Sequence, residues 1–379
     1  LRQRGMLQGE FYLLGLFATL GMMVTISAHS LLVLYLGVEL MSLSLYALAA
    51  MRRGSPVASE AAMKYFVLGA LASGMLLYGM SMVYGATGTL DLGAIAQSAA
   101  DGELLLVFGL IFTLVGVAFK FGAVPFHMWV PDVYQGAPTA VTLFIATGSK
   151  VAAVALFMRL IGEGLGALHG DWQHMVLLLA VASIIVGNLV ALVQTNIKRM
   201  LAYSTFNHVG FIFLGFMAGT AEGYGAALFY SVTYAFTVAA AFGVIMLLSR
   251  QGFEAENLDD FKGLFERSPL FGVVVLLLMV SLTGIPGTVG FYAKWLVIQS
   301  VVDAGFITAA VIAVIGAVVG AFYYLRVVRL VVFDAPEADG PQPSGSPGFR
   351  AVLATNGLAV LVLGVFPGSL VAVCMAAFG

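Results

Sequence analysis

Four lysines lie inside stretches of sequence that are apolar enough to cross a lipid bilayer. The chain has six lysines in total, and the four are Lys64, Lys120, Lys150 and Lys294. A charged side chain at the centre of a bilayer costs roughly 2.5–3.5 kcal/mol on insertion scales, so such residues normally face a protein interior or a wet cavity. Buried amines in this number predict a path for ions or protons.

Glu39 is the acidic residue that lies in the middle of an apolar stretch, LYLGVELMSLSLYAL. By its level in the membrane it could face Lys120 or Lys150, and an ion pair would offset part of the desolvation of both charges. A purely structural ion pair is the simpler interpretation, but it leaves the other buried lysines unexplained. We therefore expect Glu39 to act on these lysines electrostatically.

Lys150 lies halfway along the apolar stretch 138–162, too deep for its amine to reach either membrane surface easily. Desolvation favours the neutral form of an amine. Moving one charge across 100 mV is worth about 2.3 kcal/mol, so a neighbouring charge that approaches or withdraws can supply the energy to load or release a proton. This position predicts a central proton relay at Lys150.

The other two lysines each have a structural alternative. Lys64 stands one turn after Glu60 near a membrane edge, where an ion pair along the helix or an extended side chain explains it almost as well as function. Lys294 follows a Pro/Gly segment and precedes Trp295, so its alternative is a lysine at the membrane interface. We keep both as candidate relay residues.

Two histidines are further candidates, because histidine titrates near neutral pH. His208 lies in the middle of an apolar stretch and His127 follows Pro125 at an interruption of another. A packed, hydrogen-bonded histidine is the alternative at both positions. The remaining histidines lie at predicted membrane edges without the spacing of metal ligands: His29, His169 and His174.

These residues must be positioned by membrane helices, because 61% of the chain is hydrophobic and only 9% is charged. In soluble domains roughly 45–50% of the residues are apolar and about 25% are charged. The apolar runs are too long for the strands of a barrel, so the prediction is an all-α polytopic protein with eleven transmembrane helices. The predicted spans are 11–28, 30–50, 57–84, 104–134, 138–162, 173–194, 200–219, 223–249, 269–301, 304–333 and 350–377.

The fourth and ninth spans are each interrupted by proline and glycine, in FKFGAVPFHMWVP at 119–131 and TGIPGTVGF at 283–291. Proline removes a helical hydrogen bond, so both helices are predicted to break within the membrane. The breaks lie five spans apart on helices of opposite direction, which predicts two inverted five-helix repeats, 11–162 and 173–333. The remaining segments are an N-terminal edge at 1–10, an exposed linker at 334–349 and a C-terminal helix at 350–377.

Charge is segregated between the two sides of the predicted membrane, and the positive-inside rule makes the basic side cytoplasmic and the C-terminus external. A charged segment, 250–268, has apolar residues at helical spacing and is expected to lie on the cytoplasmic face as a short amphipathic element. The basic residues on that side are Arg2, Arg4, Arg52, Arg53, Lys198, Arg199, Arg250, Lys262, Arg267, Arg326, Arg329 and Arg350. The acidic residues opposite are Asp91, Asp101, Glu103, Glu163, Asp171, Glu222 and Asp303, with Arg159 as the one basic residue nearby.

Composition also excludes several classes of function. The single cysteine, Cys374, provides neither a disulfide framework nor the thiolates of an iron–sulfur cluster. A net charge of -2 with scattered basic residues argues against a nucleic-acid partner. We therefore expect no metal, no cofactor and no electron chemistry in this chain.

Long segments of the sequence resemble one known family. They are similar to subunit N, an antiporter-like membrane subunit of the bacterial proton-translocating NADH:quinone oxidoreductase (respiratory complex I). The resemblance runs from about Glu10 to the C-terminus and implies that further N-terminal helices precede this chain in the family. The segments are FKFGAVPFHMWVPDVYQGAPTAVTLFIATGSKVA, YLGVELMSLSLYAL, IKRMLAYSTFNHVGF and DDFKGLFERSP.

The resemblance implies a proton-translocating module and a role for each candidate. It implies a switch formed by Glu39 and Lys120, a central relay at Lys150 and an exit at Lys294, and it also matches Lys64 and His208. It further implies a multi-pass protein of the bacterial inner membrane whose neighbours are the antiporter-like subunit M and the small subunit K. NADH, FMN, iron–sulfur clusters and quinone are then expected in other subunits.

Two alternatives remain open at this stage. The same scaffold and lysines would suit a subunit of a multisubunit Na+/H+ antiporter or of a membrane-bound hydrogenase. A non-conducting structural anchor is an alternative of another class, and it predicts that the buried lysines are paired and replaceable by apolar residues without loss of pumping.

Overall fold

The structure is a computed structural model that describes residues 8–98, 104–337 and 340–378. All regular secondary structure in these ranges is helical, and three isolated β-bridges are the only other pairing. The predicted all-α fold is therefore confirmed. Predictions that concern Arg2, Arg4, Asp101, Glu103 or residues 338 and 339 lie outside the described ranges, as do residues 1–7 of the N-terminal edge.

Seventeen α-helices follow one another along the described residues. They are α1 Gly9–Ser27, α2 Leu31–Ala49, α3 Pro56–Thr87, α4 Leu92–Ser98, α5 Leu104–Phe121, α6 Trp129–Gly136, α7 Thr139–Ala146, α8 Gly148–Phe157, α9 His169–Leu192, α10 Ile197–Met217, α11 Ala221–Leu248, α12 Leu264–Arg267, α13 Pro269–Thr283, α14 Val289–Asp303, α15 Ile307–Val332, α16 Pro347–Val365 and α17 Gly368–Ala376. A π-helical segment, Met158–Gly164, continues α8, and short 3-10 turns occur at Gly166–Leu168 and Leu258–Phe261.

Ten helical segments of the described chain are long and apolar enough to cross a membrane. They coincide with ten of the eleven predicted spans. The ninth predicted span is formed instead by two shorter helices, the apolar α13 and the following α14. The boundaries of the two five-helix repeats stay a prediction.

The first predicted break is present between α5 and α6. Helix α5 ends at Phe121, Gly122 follows with a φ of 70°, and α6 begins only at Trp129. A side chain at Gly122 would meet Val130, so both the positive φ and the lack of space require glycine here. The break leaves the last carbonyl groups of α5 without helical partners in the interior of the protein.

The second predicted break is present between α13 and α14. Helix α13 ends at Thr283, where Gly284 takes a φ of 89°, and α14 begins at Val289. Pro286 lies in the intervening turn, where its missing N–H is not needed by a helix.

Two helices that were predicted to be continuous are interrupted. The span 138–162 is distorted at Thr147, whose φ of -113° and ψ of -80° separate α7 from α8 only three residues before Lys150. The C-terminal helix predicted at 350–377 is wrong as a single helix, because α16 ends at Val365 and α17 begins at Gly368. Pro367 explains the second interruption, since it has no N–H to continue the helix.

The loops at the end of the bundle that carries Arg52, Lys198, Arg250 and Lys262, which we call the basic end, pack against one another. A β-bridge joins Asn196 to Asn257. The segment 250–268 buries three apolar residues of its predicted amphipathic pattern, Leu258, Phe261 and Leu264, whereas the fourth, Phe265, is exposed. The described part of the linker after α15 is tied to it, through an ion pair of 3.0 Å between Lys262 and Glu337 and a hydrogen bond from Arg267 to the Pro341 carbonyl.

Helix α10 lies at the centre of the bundle, where nearly all its residues are buried. It packs against α9, α11, α6 and α14, and so touches both broken helices. Polar residues on this helix therefore have no solvent to satisfy them and must find partners on its neighbours.

Candidate functional site

Lys150 is fully buried and binds the end of a broken helix. Its Nζ donates hydrogen bonds to the carbonyl oxygens of Phe121 at 2.7 Å and Lys120 at 3.3 Å. It also lies 5.2 Å from the ring centre of Trp129, the first residue of α6. The last carbonyls of a helix carry the negative end of the helix dipole, so this amine occupies a site that favours a cation inside the protein.

Lys294 makes the same kind of contact at the second break. Its Nζ donates to the carbonyls of Thr283 at 2.8 Å and Leu282 at 3.0 Å, the last residues of α13, and lies 5.4 Å from the ring centre of Phe211. The lysine side chain is buried. The predicted alternative, a lysine at the membrane interface, does not fit this geometry, although the neighbouring Trp295 is exposed.

Lys120 and Glu39 bind different hydroxyl groups instead of each other. The Lys120 Nζ donates to the Ser42 hydroxyl at 2.7 Å, and no carboxylate oxygen of the described residues lies within 4.0 Å of it. Glu39, one turn before Ser42 on α2, accepts a hydrogen bond from Ser73 at 2.5 Å and interacts with Lys120 electrostatically. A direct ion pair is not formed, because the Glu39 carboxylate is held by α3.

His208 connects three helices. Its Nδ1 lies 2.8 Å from the hydroxyl of Tyr230 on α11, and its Nε2 lies 2.9 Å from the hydroxyl of Tyr324 on α15. A neutral imidazole has one donor and one acceptor, so one tyrosine accepts and the other donates. Such an arrangement can pass a proton by exchanging the roles of the two ring nitrogens.

A small cavity lies beside both His208 and Lys294. Both residues line it, together with hydroxyl side chains of α11 and α13. It offers about 10 Å³ to the centre of a water molecule, which is room for roughly one water. The hydroxyl-bearing residues of its lining are Tyr230, Thr233, Tyr234, Thr237 and Ser281.

Lys64 and His127 are placed differently. The Lys64 amine lies 2.7 Å from both Glu60 and Asp132, and 42% of its side chain is exposed. Asp132 in turn binds Arg199 at 2.9 Å, so Lys64 belongs to an ion-pair network at the basic end. His127 lies in the first break with its ring against Phe206, and its Nδ1 has no partner among the described residues. The structure does not bring Lys64 to the buried lysines.

Lys198 is a buried lysine that the sequence did not identify as a site residue. Its Nζ donates to the carbonyls of Gln135 at 2.8 Å and Ala137 at 3.1 Å, at the end of α6. It lies 4.0 Å from the carboxylate of Glu254. The adjacent pair of basic residues, Lys198 and Arg199, resembles a membrane-edge pair in sequence, and only the tertiary structure buries one of them.

Three buried amines thus lie at the carboxyl ends of three helices, α5, α6 and α13. Carbonyl oxygens stabilise the charged amine without donating a proton to it, so each amine remains able to gain or lose a proton. Among the described residues no three His, Cys, Asp or Glu side chains are grouped to hold a metal ion. The arrangement suits proton transfer between fixed amines.

Comparison with known proteins identifies the family and the fold of the chain. Residues 28–320 match the family described as NADH:quinone oxidoreductase/Mrp antiporter, transmembrane. The whole chain is 64% identical to 78% of the NADH-quinone oxidoreductase subunit N of Alkalilimnicola ehrlichii. A chain of respiratory complex I from Thermus thermophilus is 40% identical, with a TM-score of 0.85 over 97% of this chain and 81% of that one. A chain of the Mrp complex from Dietzia shares the fold, with a TM-score of 0.87 at 24% identity over 96% and 76% of the two chains.

Proposed function

Since the chain belongs to the NADH:quinone oxidoreductase/Mrp antiporter family of membrane subunits, we propose that it translocates protons as the antiporter-like subunit N of a respiratory NADH:quinone oxidoreductase. The identity to subunit N along the whole chain supports this assignment. The single observation that carries the mechanism is the burial of Lys150 and Lys294 against the carbonyl ends of two broken helices.

In the proposed path, protons enter at the basic end, which we place on the cytoplasmic side with the C-terminus outside. They reach Lys150 by way of water and leave past Lys294. His208 and the small cavity beside it, which Lys294 also lines, are proposed to carry the proton on to Lys294. The order of these groups is part of the proposal.

The proposed switch is formed by Glu39 and Lys120. The Lys120 amine binds Ser42, one turn from Glu39 on α2, and the backbone carbonyl of Lys120 is itself a partner of the Lys150 amine. A shift of the Lys120 side chain toward or away from Glu39 therefore changes the field at Lys150, whose proton affinity follows the charge nearby. The two states of the proposed switch are the Lys120 side chain close to Glu39 and the same side chain farther from it.

Within the complex, the chain is proposed to contribute to a redox-driven translocase without redox chemistry of its own. NADH, FMN, iron–sulfur clusters and quinone then bind to other subunits, and the expected neighbours are subunits M and K in the bacterial inner membrane. The Na+/H+ antiporter alternative predicts proton movement driven by a sodium gradient, whereas the proposed function predicts proton movement driven by NADH oxidation. The structural anchor predicts that the buried lysines can be replaced by apolar residues without loss of pumping.

Replacing Lys150 or Lys294 by alanine tests the function. Both variants are expected to assemble into the complex and to move fewer protons per NADH, measured in inverted membrane vesicles. The share of assembled complex, measured on a native gel, is the control for folding. An unchanged number of protons per NADH in both variants would defeat the relay assignment.

A further inference from the structure

A polar cleft opens at the basic end of the bundle. Its volume is about 320 Å³, and it is lined by Arg52 and by residues of the segment 250–256. Arg52, Arg250 and Gln251 are exposed on its rim. Water therefore reaches the floor of this cleft from the side on which proton uptake is proposed.

Glu254 lies at the floor of the cleft and connects it to the interior. Only 18% of its side chain is exposed. Its carboxylate accepts a hydrogen bond from the hydroxyl of Thr139, a fully buried residue at the start of α7, and lies 4.0 Å from the buried Nζ of Lys198. One carboxylate thus faces water on one side and a buried amine on the other.

Helix α6 links this lysine to the central one. Lys198 binds the carbonyls at the end of α6, whereas the Lys150 amine lies over the ring of Trp129 at its beginning. Eight residues at 1.5 Å each put these two ends about 12 Å apart. Tyr134, on the same helix, has a fully buried hydroxyl that makes no hydrogen bond within the described residues.

We propose that Glu254 is the group that takes up protons from the cytoplasmic cleft and that Lys198 passes them toward Lys150. The Lys198 ammonium gives its proton inward and takes a replacement from protonated Glu254, and the resulting carboxylate binds a new proton from water in the cleft. Each cycle moves one proton and restores both groups. This assignment rests on the proposed proton-translocating function.

Glu254→Gln tests the assignment in the assembled complex. The amide oxygen can still accept the Thr139 hydrogen bond, so the substitution removes the titrating group and keeps the contact. Protons moved per NADH are expected to fall by as much as in Lys150→Met, because both substitutions interrupt one path. The matched control is Glu256→Gln, on the same cleft, where the carboxylate binds Asn196 at 2.8 Å; no loss is expected there.

Rescue by a small carboxylic acid separates proton uptake from a structural role. In inverted vesicles the cleft faces the medium, so added formate can supply the missing acid and is expected to restore pumping in Glu254→Gln. It should not restore pumping in Lys150→Met. The measured quantity is the number of protons moved per NADH oxidised, so it does not depend on how much complex is assembled.

The outcomes distinguish this assignment from the proposed function. If Glu254→Gln moves fewer protons per NADH and formate restores the number, Glu254 is the group that takes up protons. If formate does not restore the number, Glu254 has a positioning role and the assignment is wrong. Normal pumping in Glu254→Gln with a loss in Lys150→Met overturns the assignment alone. Normal pumping in both variants overturns the proposed function as well.

Discussion

The ammonium group of Lys150 lies 2.7 Å from the carbonyl oxygen of Phe121, the residue at which helix α5 ends. The contact joins two different membrane spans and depends on the break between α5 and α6. An unbroken helix would use this carbonyl internally, and a bilayer offers no water to replace it. The hydrogen bond therefore pairs a carbonyl group that the break leaves without a helical partner with an amine that is buried in the membrane interior.

Lys150→Arg separates the charge of this residue from its ability to release a proton. A guanidinium group can donate to the same carbonyls but is not deprotonated in proteins. We expect the complex to assemble and its protons per NADH to fall as far as in Lys150→Met, measured in inverted vesicles. If the arginine variant pumps normally while the methionine variant does not, Lys150 is a fixed charge and not a relay.

Ser42→Ala tests whether the position of the Lys120 amine matters for the proposed switch. The substitution removes the hydrogen bond of 2.7 Å to the Lys120 amine, a contact to a charged group worth roughly 1.5–3 kcal/mol. We expect slower NADH-driven pumping with an assembled complex. Ser44→Ala is the matched control, because among the described residues the Ser44 hydroxyl binds only the Leu40 carbonyl of its own helix. Equal rates in the two variants would show that the switch does not run through Ser42.

Tyr324→Phe tests the partners of His208. One ring nitrogen of the buried histidine loses its hydrogen bond of 2.9 Å, and an unsatisfied buried polar group costs about 1–3 kcal/mol. We expect a lower thermal unfolding temperature of the detergent-solubilised complex together with slower pumping. Tyr84→Phe, at an exposed position on α3, is the control and should change neither measurement. Unaltered pumping in Tyr324→Phe would remove His208 from the path.

Gly290→Ala tests the packing that places Lys294. A methyl group at this position would overlap the Ser281 carbonyl, which belongs to the half-helix that Lys294 binds. Overpacking of this kind costs about 1–3 kcal/mol, so we expect a destabilised subunit and reduced pumping. Gly74→Ala, where an added methyl group has no neighbour within 4 Å, should be harmless. Thermal unfolding of both variants provides the comparison.

Most of the architecture follows from local properties of the sequence. Long apolar runs can only be helices in lipid, and proline with glycine in the middle of such a run breaks it, so both discontinuous helices were predictable. The interruption at Thr147 was not, because it lies in an ordinary apolar stretch. The break before Gly368 shows a weaker local signal, a single proline near the end of the chain.

The sequence by itself determined that Lys120, Lys150, Lys294 and Glu39 lie within the membrane, because an apolar run of that length leaves them no other place. The tertiary structure alone decided what each group binds. Lys150 meets the end of a helix almost thirty residues away, Lys120 binds Ser42 instead of Glu39, and Lys198 is buried by protein at the basic end. Depth is a property of one helix, whereas a hydrogen-bond partner depends on how several helices pack, which no local pattern encodes.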